Sequence, residues 1–433
     1  MIQIFKQLGR HWAACIAVVA LLFAQAYCDL SLPDYTSKIV DTGIQQGGIE
    51  SPVPDTVRDT TLQALELLMS EQDAALAEQW YSTPDADGVR TLSHDATAAM
   101  SELENAFATP DVVLYMAAAQ NAAANGETAT PTVSDLDAAA AQMAAMANVP
   151  GAREMLQARL SEELSAMDTS MAGNLSQQAT LLVALEYEAQ GIAHDVQLTY
   201  LLRTGGRMLA LTLLMVAVSI AVGFIASRVS AAIGRDLRHD VFGTVVGYSN
   251  AEIEKFSTAS LITRTTNDIQ QVQFVCVILL RMVAYAPILG IGGILHVAEG
   301  NTGLEWIIFV AVAALLLLII FLMSVAMPKF KLMQTLVDRL NLVSREILTG
   351  IMPIRAFSRE SFEEQRFDKA NTDLMKTQLF TNRTMVAMMP FMTLIMNGTS
   401  LLIVWFGGKA MDLGTMQVGE MIAFITYTMQ IVM

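Results

Sequence analysis

Apolar and polar positions alternate along this chain on two scales. On the long scale, apolar runs of about 20 residues recur, each enough to cross a bilayer core of about 30 Å at about 1.5 Å per residue. They cover Trp12 to Leu32, Arg207 to Ala226, Val272 to about Ile294, Trp306 to Met327 and Met385 to Phe406, and a sixth begins at Val418. On the short scale, the polar stretches between some of these runs keep a helical stripe. Ile233, Leu237, Val241, Val245 and Tyr248 form one stripe, and Leu340, Val343, Ile347, Ile351 and Ile354 form another. Such spacing puts the apolar residues on one helix face and leaves the other wet. The expected fold is therefore all-α: six membrane helices, the sixth incomplete at Met433, with two long helical extensions outside the bilayer.

Each extension reads as helix, break, helix. Gly350 suits a helix end needing a left-handed residue, and Pro353 suits the first turn of the next helix. Ser361 with Glu364 reads as a capping box starting a third helix, and Ser249 with Glu252 reads the same way after Gly247. Arg359–Glu363, Glu363–Arg366 and Lys369–Asp373 are expected surface pairs. Pro33 is expected to end the first helix, and Asp41, Thr42 and Gly43 to form a turn.

Between the first two spans, residues 51–199 are acidic and rich in Ala and Met. Thr56–Trp80 reads as one helix and Ser93–Ala108 as another capped by Ser93; Pro131–Met146 and Arg153–Asp168 follow, with no strand pattern. A helical insertion of about 150 residues can hold a core of its own. The domain plan is residues 1–50 (first span and outer turn), 51–199 (insertion) and 200–433 (remaining spans with two polar loops).

The chain has 433 residues, 53% hydrophobic and only 16% charged, against about a quarter charged in a soluble domain. Its net charge of -16 is local: residues 34–202 hold 5 Lys+Arg and 25 Asp+Glu, whereas the rest is net +4. The low pI thus says nothing about a partner. Basic residues set orientation. Residues 1–11 carry 2, 228–270 carry 5 and 328–384 carry 10, against none in 296–305 and one in 407–417. The N terminus and both extensions are therefore expected in the cytoplasm and the insertion outside.

Little here reads as reaction chemistry. Cys15, Cys28 and Cys276 lie in apolar segments without metal spacing, and the five histidines are scattered. Thr263, Arg264, Asn267 and Asp268 suggest hydrogen bonds between helices, with no nucleophile and base. Arg281 lies inside the third span, where an Arg is costly; pairing with a polar helix neighbour is favoured over a substrate contact. No GxxxxGK[ST] phosphate loop occurs, and Gly407-Gly408-Lys409 lacks its spacing.

On periodicity alone, a solvated hairpin joining two spans explains the extension from Asp338 to Lys376 best. Two runs shift that balance. REILTGIMPIRAFSRESFEEQRFDKAN resembles the second intracellular loop of ABC exporter half-transporters of the multidrug or lipid-exporting type, and FSTASLITRTTNDI resembles the segment after their first. LSLPDYTSKIVDTGIQQGGIE resembles their first outer turn; the insertion is a departure. The resemblance implies that His239, Val241, Val245 and Tyr248 mark one coupling tip, and Gly350, Pro353, Ile354, Arg355 and Phe357 the other. It also implies alternating access in a homo- or heterodimer in a bacterial cytoplasmic membrane. ATP and magnesium would sit on a nucleotide-binding domain, supplied in cis or trans, that this stretch lacks; no nucleic-acid partner is expected. The stop at Met433 reads as a fragment rather than a separate membrane subunit. Competing readings are a membrane sensor with an external ligand domain and an accessory scaffold.

Overall fold

The computed structural model describes residues 9–124, 131–147, 172–249, 252, 256, 258–299 and 303–433. The chain forms two compact units, Met1–Thr302 with Phe406–Tyr427, and Gly303–Trp405 with Thr428–Met433.

In the first unit, helix α1 spans Trp12–Lys38 and continues as a π-helical turn over Ile39–Gln45. Pro33 lies inside it, not at its end. Proline removes one backbone donor, and membrane helices tolerate this when neighbouring groups take up the freed carbonyls. The carbonyl that Pro33 leaves without its helical donor is that of Asp29; at the next carbonyl, that of Leu30, the Tyr427 hydroxyl lies 2.9 Å away. Asp41, Thr42 and Gly43 sit in the π-helical turn, so the expected turn moves to Gln46–Gly48, where Gly47 and Gly48 have φ of 64° and 87°. The next membrane helix packs closely here. A Cβ on Gly43 would come 2.6 Å from Leu201 Cδ2, and one on Gly48 2.9 Å from Gln197 Cα.

The insertion is mostly helical, with one small sheet that no period-2 pattern announced. Strand β1 (Thr56–Arg58) pairs antiparallel with β2 (Val89–Thr91), Val57 opposite Arg90. Three residues are too few to show alternation. The single helix expected over Thr56–Trp80 is instead β1, α2 (Asp59–Leu68) and α3 (Glu71–Trp80). Ser70 makes the break: extended itself, it caps α3 by accepting from the Asp73 amide at 3.2 Å. Ser93 makes no side-chain cap; a 3₁₀ turn over His94–Ala98 follows it, then α4 (Met100–Ala124), which passes through Pro110. Helix α5 (Val133–Ala147) is close to its expected position, and α6 is Ala172–Ala189. The expected Arg153–Asp168 helix lies outside the described residues. Leu62, Leu65, Leu103, Phe107, Leu114, Leu136 and Leu182 form the buried core of this region. Each such side chain contributes about 1.5–3 kcal/mol on burial.

Helix α7 (Ala193–Val246) is continuous over 54 residues, about 80 Å and more than twice the bilayer core. After α8 (Thr258–Thr263) and a π turn at Arg264–Asp268, the third span runs as α9 (Ile269–Ile278), a π turn at Leu279–Val283 and α10 (Tyr285–Glu299). Pro287 falls in the first turn of α10, where its missing N–H costs nothing. Val18 and Leu22 of α1 pack with Val222, Ala226, Val229 and Ile233 of α7 and with Cys276 and Leu280 of the third span.

In the second unit, α11 (Glu305–Thr349) and α13 (Glu360–Asp412) flank the short α12 (Ile351–Ala356). At 45 and 53 residues both far exceed a membrane crossing. Five helices among the described residues are long and apolar enough to cross a membrane. The apolar α14 (Val418–Val432), at the expected sixth span, has 15 residues.

Candidate functional site

The first tip begins where α7 ends, at Gly247. Glu252 accepts from both the amide and the hydroxyl of Ser249, each at 2.8 Å, the back-reaching half of the expected capping box. Those bonds, the amide's first, hold the Glu252 carboxyl below its usual range. Val241, Val245 and Tyr248 line a cavity of about 330 Å³ with Phe256 and Arg264. Tyr248 and Phe256 stack with centroids 6.1 Å apart, and the Arg264 guanidinium sits 5.4 Å from the Phe256 centroid. Arg264 thus lies against an aromatic face. Thr265 and Thr266 return their hydroxyls to carbonyls four residues back. Inter-helix bonding appears further along, where Gln273 accepts from Ser230 Oγ at 2.6 Å and from Arg238 at 3.0 Å. His239 is exposed and does not line the cavity.

The second tip is α12, and Pro353 occupies its first turn as expected. Two local expectations are corrected. Gly350 has φ of -96°, so it is not the left-handed residue. That residue is Ser358, φ 51°. The Ser358 amide donates to Arg355 O at 3.2 Å and the Arg359 amide to Ile354 O at 2.9 Å, a Schellman closure of α12. The next helix then starts at Glu360, which places Ser361 inside it rather than at its cap. Arg359 lies over the Phe362 ring, and Arg366 bridges Glu363 and Glu346. Ile354 and Arg355 line a cavity of about 590 Å³ between α11 and the start of α13. Phe357 is 79% exposed and Met352 75%.

Arg281 lies in the π turn of the third span, exposed and without an ion-pair partner among the described residues.

The sequence reading overlooked a polar cluster along α1. The Tyr427 hydroxyl of α14 donates to Asp34, and His296 Nε2 of α10 lies 3.1 Å from Asp34 Oδ2 and 3.0 Å from the Tyr427 oxygen. The His296 and Tyr427 rings meet edge to face at 4.9 Å. Tyr285 donates to Asp29. Asp41 accepts from Ser37 Oγ at 2.8 Å and from the Gly419 amide at 2.6 Å. Asp34, Asp41, His296, Glu420 and Tyr427 line a cavity of about 440 Å³. A signal was available: three aspartates in or beside one apolar span are costly unless paired.

Long helices, polar tips and a span-rich core describe a membrane bundle, and comparison with known families decides which. The profile of the ABC transporter transmembrane region matches residues 167–433. The chain belongs to this family. The match takes in the second span onward, both tips and α14; the first span and most of the insertion lie outside it. This is an all-α, multi-pass transmembrane domain of the ABC exporter type. An uncharacterised ABC transporter ATP-binding protein of Mycobacterium tuberculosis is 37% identical over 233 residues, 54% of this chain and 40% of the relative. One from Bacillus subtilis is 34% identical over 227 residues, 52% of this chain and 40% of the relative. An ATP-dependent lipid A-core flippase of Pseudomonas fluorescens is 24% identical over 211 residues, 47% of this chain and 33% of the relative. The chain therefore spans about 40% of the length of the first two relatives.

Proposed function

We propose that the chain forms half of the substrate pathway of an ATP-driven exporter in a bacterial cytoplasmic membrane, working as a homo- or heterodimer. Its N terminus and both tips face the cytoplasm, and its insertion faces out. ATP and magnesium are bound by a nucleotide-binding domain joined in cis or trans, which grips the two tips. Closing those domains swings the extensions and re-opens the bundle outward; coupling of this kind needs a rigid element with two arrangements.

The observation that carries the reading is α12. This six-residue helix, held at both ends by backbone hydrogen bonds, presents Met352 to solvent, with exposed Leu348 at the end of α11 before it and exposed Phe357 at its C-cap. Apolar side chains grouped on a rigid tip, rimmed by Arg355 and Glu360, fit a protein partner better than water. In the dimer assembled with its ATP-binding domains in nanodiscs, Phe357→Ala and Arg355→Glu should each lower ATP turnover about fivefold or more, as expected for losing an interface anchor. Normal turnover with normal assembly would remove α12 from the coupling path.

A further inference from the structure

A second cavity, of about 450 Å³, lies in the first unit where the insertion meets α7. Its wall joins Gly48, Ile49, Glu50, Val53 and Asp55 to Met100 and Tyr187 of the insertion and to one stripe of α7. That stripe is Val196, Thr199, Tyr200 and Arg203, spaced i, i+3, i+4, i+7, and Asp195 stands beside it. The phenols are fixed. Tyr187 accepts from the Asp55 amide at 2.7 Å, and Tyr200 is hydrogen-bonded to Glu50, Thr42 and Thr204.

Charge in this cavity is divided by position. Asp55 and Asp195 are exposed carboxylates on the insertion side, and Arg203 is an exposed cation two turns further along α7; Glu50, also exposed, shares the Tyr200 hydroxyl with Thr204 beside Arg203. Asp195 and Arg203 are eight residues apart, about 12 Å along the helix. Side chains on a helix lean toward its N terminus, so Arg203 reaches back toward the acids. Among the described residues, no three carboxylate, His or Cys groups converge as a metal ion requires. The arrangement suits a ligand with a cationic end and an anionic end.

Position narrows the class. Arg203 lies four residues, about 6 Å, before the span that starts at Arg207. That is headgroup depth for a helix entering a bilayer, where Tyr also concentrates. Exposed Leu198, Leu202 and Leu209 on α7, and Ile44 on the turn after α1, offer apolar surface beside it. We propose that this cavity binds a phosphoethanolamine group, its ammonium on Asp55 and Asp195 and its phosphate on Arg203. A primary ammonium donates three hydrogen bonds to carboxylates; a quaternary one donates none. The proposal is independent of ATP coupling and of transport direction.

The test is lipid retention. The chain is reconstituted in an equimolar mixture of phosphatidylethanolamine, phosphatidylcholine and phosphatidylglycerol, re-extracted, and its bound lipid counted by native mass spectrometry. Phosphatidylethanolamine should be enriched about fivefold, the weight of one exposed charge-assisted contact. Asp195→Asn and Arg203→Gln should each cut that enrichment at least threefold, and Arg203→Lys should keep most of it. Soluble glycerophosphoethanolamine is the second arm. Displacement of the lipid at millimolar concentration assigns the cavity to a free small molecule of the same chemistry; failure to displace assigns it to the membrane lipid. Equal retention of the three lipids, or enrichment indifferent to both variants, overturns the proposal and leaves Arg203 as an ordinary interfacial arginine.

Discussion

Arg58 is the place to test whether β1 is anchored to α6 by charge. Its Nε lies 3.1 Å from Glu186 Oε1, its Nη1 2.7 Å from Asp137 Oδ1, and its own amide donates to Glu186 at 2.7 Å. Burial works against the Arg58 charge, and Glu186 and Asp137 overcome it, so its pKa is raised. Glu186 is 1% exposed. Removing one partner from a buried pair costs about 3–5 kcal/mol, because the other charge stays behind. Arg58→Met keeps volume and removes charge. Thr61 Oγ1 at 2.8 Å, Gln190 Nε2 at 3.0 Å and the residue-58 amide would still bind the carboxylate. The lower end, about 3 kcal/mol, is therefore expected, which is about a hundredfold in an opening equilibrium. Hydrogen exchange of the full chain in nanodiscs reads this directly. The amides of 56–58, 89–91 and 178–189 should lose about two decades of protection while those of α7 within the bilayer keep theirs. A loss below tenfold, or one spread evenly over the molecule, would show that the apolar core holds these elements and the ion pair does not. Adding Glu186→Gln to Arg58→Met should recover much of the loss, since it removes the stranded charge.

Three further outcomes are expected. Asp111 is fully buried and, among the described residues, neither carboxylate oxygen has a hydrogen-bond partner, so burial pushes its pKa well above the usual range. The folded state then holds a proton that the unfolded chain gives up near pH 4, so the stability this proton confers is present below that pH and falls as pH rises toward the folded pKa. Asp111→Asn should flatten this slope and Asp111→Leu should stabilise the insertion at neutral pH, both read by exchange of α4 against pH. Ser358→Gly relieves a left-handed residue, and exchange at Arg359 should slow about threefold, in line with a gain under 1 kcal/mol. Tyr427→Phe removes the donor to Asp34 and should lower the melting temperature in detergent, at a cost of about 0.6–2 kcal/mol for a hydrogen bond between membrane helices. An unchanged melt would mean His296 alone satisfies Asp34.

What could be read from the chain depended on how local each cause was. The extensions were legible because their stripes repeat every turn: Leu340 to Ile354 needs no partner to declare itself, and α11 and α12 follow it to within a residue or two. Pro353 was legible for the same reason, a first-turn preference set within one residue. The small sheet was not, because Thr56–Arg58 owes its extended state to pairing with Val89–Thr91 and to Glu186, 128 residues away from Arg58. Nor was the left-handed residue at the second tip: glycine is the better guess by sterics, yet the Schellman closure of α12 falls on Ser358 because α12 ends at Ala356. Tip residues divided likewise, with Val241, Val245 and Tyr248 sharing a cavity while His239, on the same stretch of α7, faces water.

Pro33 and the three aspartates show the sharper limit. A proline in a helix and an acid in an apolar span each announce an unmet demand, and sequence can price that demand without naming what meets it. The Tyr427 hydroxyl, 397 positions on from Leu30, reaches that residue's carbonyl as well as Asp34, and Asp41 is met by the Gly419 amide, 378 positions on. Asp34 shares both Tyr427 and His296. One chain segment thus joins α10 and α14 to α1 through groups that would be costly alone and are stabilising together. A bundle built mainly on apolar packing slides easily, because lipid is as good a neighbour as leucine. Directional bonds accepted by Asp29, Asp34 and Asp41 give α1 a defined register against α10 and α14, and a fixed register of this kind is what the coupling proposed above would require.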